Sequence, residues 1–242
     1  MTSGTVHLWT IDLDPPDGVS AFVGLLSGAE RVRAARLRTT ELRLRFIVAH
    51  GALRAILAAY TGTAASAIRL ETMAAGKPFV PDAPVAFNLS HSDGLAVCAV
   101  TTDGHIGVDV ERVRPVVDAD SIVKRYFANR EARQYASLSA ADRTAAFFST
   151  WTRKEAFVKA IGDGLQCPLD SFEVDIAPTA AEPRIAINAN RGEWYLRSFE
   201  PAPGYMGAVA YDRPIRAFQR FDFDEKSMRA PGISTRPPVP HS

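Results

Sequence analysis

Helical spacing of hydrophobic residues followed by strand-type alternation occurs twice along this chain. This repeated order is the strongest constraint on its fold. Alternating residues at positions 6–14 predict an opening strand. Helical spacing follows from residue 19 to 60, with a break near Thr39, and strand patterns come next. A second series of helices and then strands occupies the later part of the chain. We therefore predict an α+β fold of two similar α/β subdomains, residues 1–106 and 107–223.

The composition of the chain and of residues 224–242 limits which classes of protein fit this sequence. The formal net charge of +1 argues against a dedicated nucleic-acid binder. No apolar run reaches the length of a membrane-spanning helix and no signal-peptide pattern opens the chain. We therefore expect a soluble, cytoplasmic protein with no membrane partner. Residues 224–242 are polar and proline-rich, so we predict a disordered tail there.

Two acidic residues in the segment "HIGVDVERV" point to a cation site. Side chains alternate along a strand, so Asp109 and Glu111 share one face. Two carboxylates on one face repel each other unless a positive charge lies between them, and Mg²⁺ prefers such oxygen ligands. For this feature alone, a solvent-facing strand in which acids alternate with valines remains the alternative.

The segment "WTRKEAFVKAIGDGL" has helical spacing with charged residues on one face. Trp151, Glu155 and Lys159 are four positions apart, so they lie along one side of a helix, and Lys154 lies next to that line. An exposed, ion-paired helix would also explain the charged residues. The tryptophan on their face and the apolar residues on the opposite side indicate a partly covered helix instead.

Two further segments supply groups that suit a phosphate. In "FNLSHSDG", Ser90 and His91 offer a hydroxyl and an imidazole at the end of a strand, although a backbone-capping turn explains them too. In "GKP", Lys77 is held on a defined loop between glycine and proline. Most arginines of the first helical region are expected to be solvated or paired, and one or two can reach a phosphate.

Taken in order, "GKP", "FNLSHS", "IGVDVE" and "WTRKEAFVKAIGDGL" resemble the 4′-phosphopantetheinyl transferases of the surfactin-synthetase-activator group. That family has a G-[IV]-D-x-E strand and a W-x-x-K-E-[AS]-x-x-K helix, and both patterns are complete here. The resemblance covers roughly residues 5–215. It implies a monomer whose two halves are related by a pseudo-twofold axis, with the active site between them.

The resemblance also implies the reaction. A Mg²⁺-dependent enzyme of this group transfers the phosphopantetheine arm of coenzyme A to a serine of an apo acyl or peptidyl carrier protein and releases 3′,5′-ADP. Carriers of this kind serve fatty-acid, polyketide, nonribosomal-peptide and siderophore synthesis, and the resemblance points to secondary metabolism.

Each matching residue receives an implied role. The expected Mg²⁺ ligands are Asp109, Glu111 and Glu155. Glu155 is also expected to take the proton of the attacking serine, and Lys159 to act beside it by neutralising phosphate oxygens. The expected contacts with coenzyme A are Arg45, Lys77, Ser90, His91, Lys154 and Lys159.

Two other functions remain compatible with these motifs. A metal-dependent coenzyme A pyrophosphate hydrolase would use water as the acceptor, and a non-catalytic adaptor would bind coenzyme A or the carrier without reaction. The intact set of acids and lysines argues against the adaptor. For the transferase, we expect the carrier to dock against residues 112–135, where arginines accompany Tyr126 and Phe127.

Overall fold

The computed structural model describes residues 1–162, 167–178, 185–186 and 192–223. The α-helices are α1 (Ser20–Val23), α2 (Gly28–Ala35), α3 (Thr40–Thr61), α4 (Ala119–Tyr126), α5 (Asn129–Ala136) and α6 (Ala140–Ile161). The strands are β1 (Thr5–Asp12), β2 (Glu71–Thr72), β3 (Pro78–Phe79), β4 (Ala86–Ser92), β5 (Leu95–Thr101), β6 (Ile106–Arg112), β7 (Glu173–Val174), β8 (Ile185–Ala186), β9 (Tyr195–Phe199), β10 (Tyr205–Tyr211) and β11 (Ala217–Asp222). This mixture confirms the predicted α+β class. No helix in the described ranges has both the length and the apolar character needed to cross a membrane.

Two sheets form the centre of the fold. The first has the strand order β11-β1-β5-β4, and the second has the order β6-β10-β9. Strand β11 runs parallel to β1 and pairs Phe221 with Trp9, whose rings stack with their centroids 4.8 Å apart. We predicted that residues 107–223 form the second subdomain, but β11 belongs to the first sheet, so the chain crosses back there. The predicted tail, residues 224–242, lies outside the described residues.

Helix α3 covers one face of the first sheet. Its apolar residues, spaced three and four apart, pack with Ile11 of β1 and Cys98 of β5 in one buried core. The Thr39 hydroxyl accepts a hydrogen bond from the Leu42 N–H, so α3 begins at the predicted break. Gly62 adopts a left-handed conformation with φ of 69° and ends the helix.

Helix α6 packs against the second sheet, and Gly107 of β6 makes that contact close. A Cβ atom at Gly107 would lie 2.1 Å from the carbonyl oxygen of Ala156 and 2.3 Å from the amide nitrogen of Ala160. Only a residue without a side chain permits this approach. Because side chains alternate along a strand, Asp109 and Glu111 point to the same side as Gly107, toward α6.

We expect Gly107→Ala to lower the free energy of unfolding by about 3 kcal/mol or more, because the added carbon would overlap two main-chain atoms. Urea denaturation measures this loss. Gly28→Ala is the matched control, since its Cβ would meet no atom within 4 Å and the residue is helical. We expect that control to stay within about 1 kcal/mol of the parent. Equal stability of the two variants would contradict the close packing of β6 on α6.

Candidate active site

Strand β6 carries its two acids on the side that faces α6. Asp109 is buried, with 3% of its surface exposed, and Glu111 is half-buried. Val108 and Val110 point the other way, into a core shared with the first sheet. The predicted common face of Asp109 and Glu111 is therefore present, and the burial of Asp109 excludes the alternative of a solvent-facing strand.

Asp109, Ser90 and Lys159 meet where β6, β4 and α6 come together. Lys159 Nζ lies 2.5 Å from Asp109 Oδ1 and 3.0 Å from Ser90 Oγ. The Ser90 hydroxyl donates to the same Asp109 oxygen at 2.9 Å. Burial raises the pKa of Asp109, and the Lys159 ammonium opposes that rise. Asp109 Oδ2 is buried and has no hydrogen-bond partner within the described part of the chain, which makes it a candidate ligand atom.

Glu111 and Glu155 belong to the same electrostatic cluster. Ser92 Oγ donates to Glu111 Oε2 at 2.8 Å. Burial raises the pKa of Glu111 and of Glu155, and the negative charge of Asp109 adds to the rise in both. Glu111 raises the pKa of Glu155 further, whereas Lys159 lowers the pKa of both acids. Three carboxylates thus cluster around the Lys159 ammonium and raise one another's pKa.

This donor set suits a hard divalent cation. Mg²⁺ takes carboxylate oxygens as ligands, and Asp109 Oδ2, which has no hydrogen-bond partner among the described residues, is such an oxygen. The raised pKa values mean that an added positive charge would stabilise the ionised carboxylates. Among the residues that the structure describes, no three His, Cys, Asp or Glu side chains already stand in a metal-binding arrangement. The residues fit a metal by their chemistry, and the metal site stays a prediction.

A cavity of about 520 Å³ opens beside Glu155 and Lys159. Its walls come from β3 and the loop before it, from Asn88 of β4, from α4, from α6 and from the segment after α6. Tyr126 and Arg125 of α4 line it on one side, and Leu169 lines it after α6. The cavity is thus large enough for part of a nucleotide-sized ligand, and Glu155 and Lys159 of the cluster line it.

Lys77 lies in the wall of this cavity and ties two elements together. Its ammonium donates to the carbonyl oxygens of Ile106 in β6 and Ala160 in α6, each at 2.8 Å. Burial lowers the pKa of Lys77 to about 8. Two of its three N–H bonds are therefore used within the protein, and its contact with the nucleotide stays a prediction.

The structure corrects the predicted role of Lys154. Its side chain is fully buried, and its ammonium lies 2.8 Å from Glu131 Oε2. It also donates to the carbonyl oxygens of Leu169 at 2.8 Å and Phe172 at 2.7 Å, so all three N–H bonds are occupied. Successive residues of a helix point about 100° apart, which is why Lys154 turns away from the site while Glu155 faces it. Lys154 is not available to a phosphate.

The remaining predicted contacts, Arg45, His91 and the docking segment, have different surroundings. Arg45 pairs with Asp14 at 2.7 Å and Glu41 at 2.5 Å. The pKa of His91, an exposed residue of β4, lies below its usual value because neighbouring protein displaces water from the ring and Lys159 adds positive charge. The segment 112–135 forms the end of β6, α4 and most of α5. Phosphate contacts and carrier docking stay predictions for these residues.

Three polar residues of this region were absent from the sequence-based predictions. Asn88 lines the cavity, Ser92 holds Glu111, and Glu131 neutralises Lys154. The alternation of polar residues in "NLSHS" is a signal for the first two, since it indicates one polar face of β4. Glu131 has no such local signal, because its partner belongs to a different helix.

Comparison with known proteins gives consistent matches. A family model described as the 4′-phosphopantetheinyl transferase superfamily matches residues 105–210. The chain is 38% identical to the 4′-phosphopantetheinyl transferase HetI of Nostoc sp. (strain PCC 7120 / SAG 25.82 / UTEX 2576) over 215 residues, covering 87% of this chain and 89% of the relative. It is 31% identical to the 4′-phosphopantetheinyl transferase Sfp of Bacillus subtilis (strain 168) over 194 residues, covering 80% and 85%.

Proposed function

This chain belongs to the 4′-phosphopantetheinyl transferase superfamily, and we propose that it transfers phosphopantetheine from coenzyme A to a serine of an apo acyl or peptidyl carrier protein. The serine oxygen attacks the β-phosphorus of the coenzyme A pyrophosphate and forms a new P–O bond. The bond between that phosphorus and the bridging oxygen breaks, and 3′,5′-ADP leaves. This step needs positioning and charge neutralisation more than it needs a covalent intermediate.

The contact of Lys159 with Asp109 and Ser90 is the observation that best supports this function. It fixes one ammonium group, at 2.5 Å from Asp109 and 3.0 Å from Ser90, in the wall of the cavity beside Glu155. A positive charge held there suits the oxygens of a pyrophosphate, whose negative charge grows as the leaving phosphate departs. Lys159 therefore neutralises developing charge without being consumed.

Glu155 is the best-placed group to accept the proton of the serine. It lines the cavity one helical turn before Lys159. Burial and the charges of Asp109 and Glu111 raise its pKa, which makes the carboxylate a stronger base than an exposed glutamate. The proton of the serine hydroxyl is transferred to Glu155 as the new P–O bond forms.

Asp109, Glu111 and Glu155 are the residues that would hold Mg²⁺. A divalent cation bound there supplies charge neutralisation for the pyrophosphate oxygens. Asp109 Oδ2 supports this assignment: it has no hydrogen-bond partner in the part of the chain that the structure describes, and a buried carboxylate oxygen is costly without a positive or hydrogen-bonding partner.

Product analysis by liquid chromatography tests the proposed function. With coenzyme A, Mg²⁺ and an apo carrier, we expect one 3′,5′-ADP for each carrier that is modified. Excess EDTA should stop product formation and added Mg²⁺ should restore it. Release of free phosphopantetheine in the absence of a carrier would favour the hydrolase, and coenzyme A binding without any product would favour the adaptor. Either of these outcomes would overturn the proposal.

A further inference from the structure

Strands β4 and β6 belong to different sheets, yet side chains of β4 bind the backbone of β6. Three β6 amides donate to side-chain oxygens of alternate β4 residues. The pairs are Val108 N–H to Asn88 Oδ1 at 2.8 Å, Val110 N–H to Ser90 Oγ at 3.4 Å, and Arg112 N–H to Ser92 Oγ at 3.1 Å. In a continuous sheet, the carbonyl oxygens of a neighbouring strand would accept from these amides. Here the β4 side chains accept instead, so they lie between the backbones of β4 and β6.

The two serines of this ladder also contact the acids of the candidate metal site. Each Ser oxygen accepts a β6 amide, and its single hydroxyl hydrogen is donated onward. Ser90 donates to Asp109 Oδ1 at 2.9 Å, and Ser92 donates to Glu111 Oε2 at 2.8 Å. Each hydroxyl thus occupies one oxygen of a carboxylate and leaves the other oxygen for a different partner.

Ser92 is the better residue for testing how a serine hydrogen bond affects a carboxylate of the candidate metal site. Ser90 also accepts from Lys159 and is an expected coenzyme A contact, whereas the side-chain hydrogen bonds of Ser92, within the described ranges, are with β6 alone. Ser92 is 9% exposed and does not line the cavity. Its hydroxyl therefore has one evident effect on the site, which is to fix the carboxylate of Glu111.

We propose that Ser92 is a positioning residue for the metal site and holds Glu111 in a ligand orientation through the Ser92 Oγ–Glu111 Oε2 hydrogen bond. This inference rests on the proposed function, because it assumes that Glu111 binds the divalent cation. Hydrogen-bond partners of metal ligands fix the ligand's orientation, and their removal commonly weakens metal binding by about 10–100-fold. The Arg112 amide fixes the direction of the hydroxyl in turn.

Binding of Mn²⁺ to the full-length protein with coenzyme A present tests this role, with free Mn²⁺ measured by electron paramagnetic resonance. We expect Ser92→Ala to weaken Mn²⁺ binding by about 10–100-fold. Ser149→Ala is the matched control. It also removes a buried hydroxyl, which donates to the Ile176 carbonyl oxygen, but it lies away from the acids. That control should bind Mn²⁺ as the parent does. Ser92→Cys replaces only the hydroxyl oxygen, by a sulfur that donates weakly, so a folded Ser92→Cys protein should show the same direction of loss.

A double-mutant cycle separates positioning from a general structural effect. If Ser92 acts through Glu111, Ser92→Ala should cause no further loss of Mn²⁺ affinity in a Glu111→Ala protein. An unchanged affinity in Ser92→Ala, or an equal loss in the presence and absence of Glu111, would refute the positioning role. Phosphopantetheine transfer by the parent is measured in the same preparation. A parent that transfers the group without binding Mn²⁺ would overturn this inference alone, whereas a parent that does not transfer it would overturn the proposed function.

Discussion

Glu155→Gln is expected to lower the rate of phosphopantetheine transfer by about 10²–10⁴-fold, the usual contribution of a general base. The substitution keeps the size of the side chain but removes its ability to accept the serine proton. It also removes one of the three negative charges around Lys159. Initial rates with saturating coenzyme A and carrier give the size of the loss, and thermal unfolding shows whether the protein stays folded.

Glu200→Gln is a suitable control for that variant. Glu200 is exposed and directly follows β9, and it is not among the residues that line the cavity. We expect its rate to match that of the parent. A Glu155→Gln protein that is folded and transfers the group at nearly the parental rate would show that another group takes the proton.

Lys154→Met is expected to lower the free energy of unfolding by about 3–5 kcal/mol, because it leaves the carboxylate of Glu131 buried without its cation. Glu131 is 1% exposed and accepts from the Ala128 and Val174 amides as well as from Lys154. The loss also frees the carbonyls of Leu169 and Phe172, which the ammonium binds. Urea denaturation measures the change.

Two variants define the origin of that loss. Lys124→Met removes an exposed lysine of α4 and should change stability by less than about 0.5 kcal/mol. Adding Glu131→Gln to Lys154→Met removes the unpaired charge and should recover part of the stability. The sequence-based role of Lys154 leads to the opposite result, namely a raised KM for coenzyme A with stability unchanged. That result would contradict the buried ion pair.

The sequence predicts which strand and helix carry the site residues better than it predicts which distant residues contact them. The period of two in "GVDVE" and the period near four in "WTRKEAFVK" place Asp109, Glu111, Glu155 and Lys159 on the correct faces of β6 and α6. Both periods depend only on local backbone geometry, which is why they are visible in the sequence. The burial of Lys154 depends on the approach of Glu131 from α5, and no local pattern encodes that approach.

The strands show the same contrast: the sequence indicates where a strand lies but not which distant strand it contacts. Strand β4 is visible as an apolar segment with alternating polar residues, but its side-chain ladder to β6 requires the packing of one sheet beside the other. The return of β11 to pair with β1 likewise brings together the two ends of the described chain. Such long-range pairings depend on the whole tertiary structure and not on the propensity of the segment.

The intact mass of an apo carrier protein tests the central claim most directly. Fatty-acid, polyketide and nonribosomal-peptide carriers are incubated separately with coenzyme A, Mg²⁺ and this protein, and each is then measured by mass spectrometry. We predict that at least one carrier gains the mass of a single phosphopantetheine group with the parent protein and no such mass with Glu155→Gln. An unchanged mass for every carrier, from a folded protein that binds coenzyme A, would contradict the account.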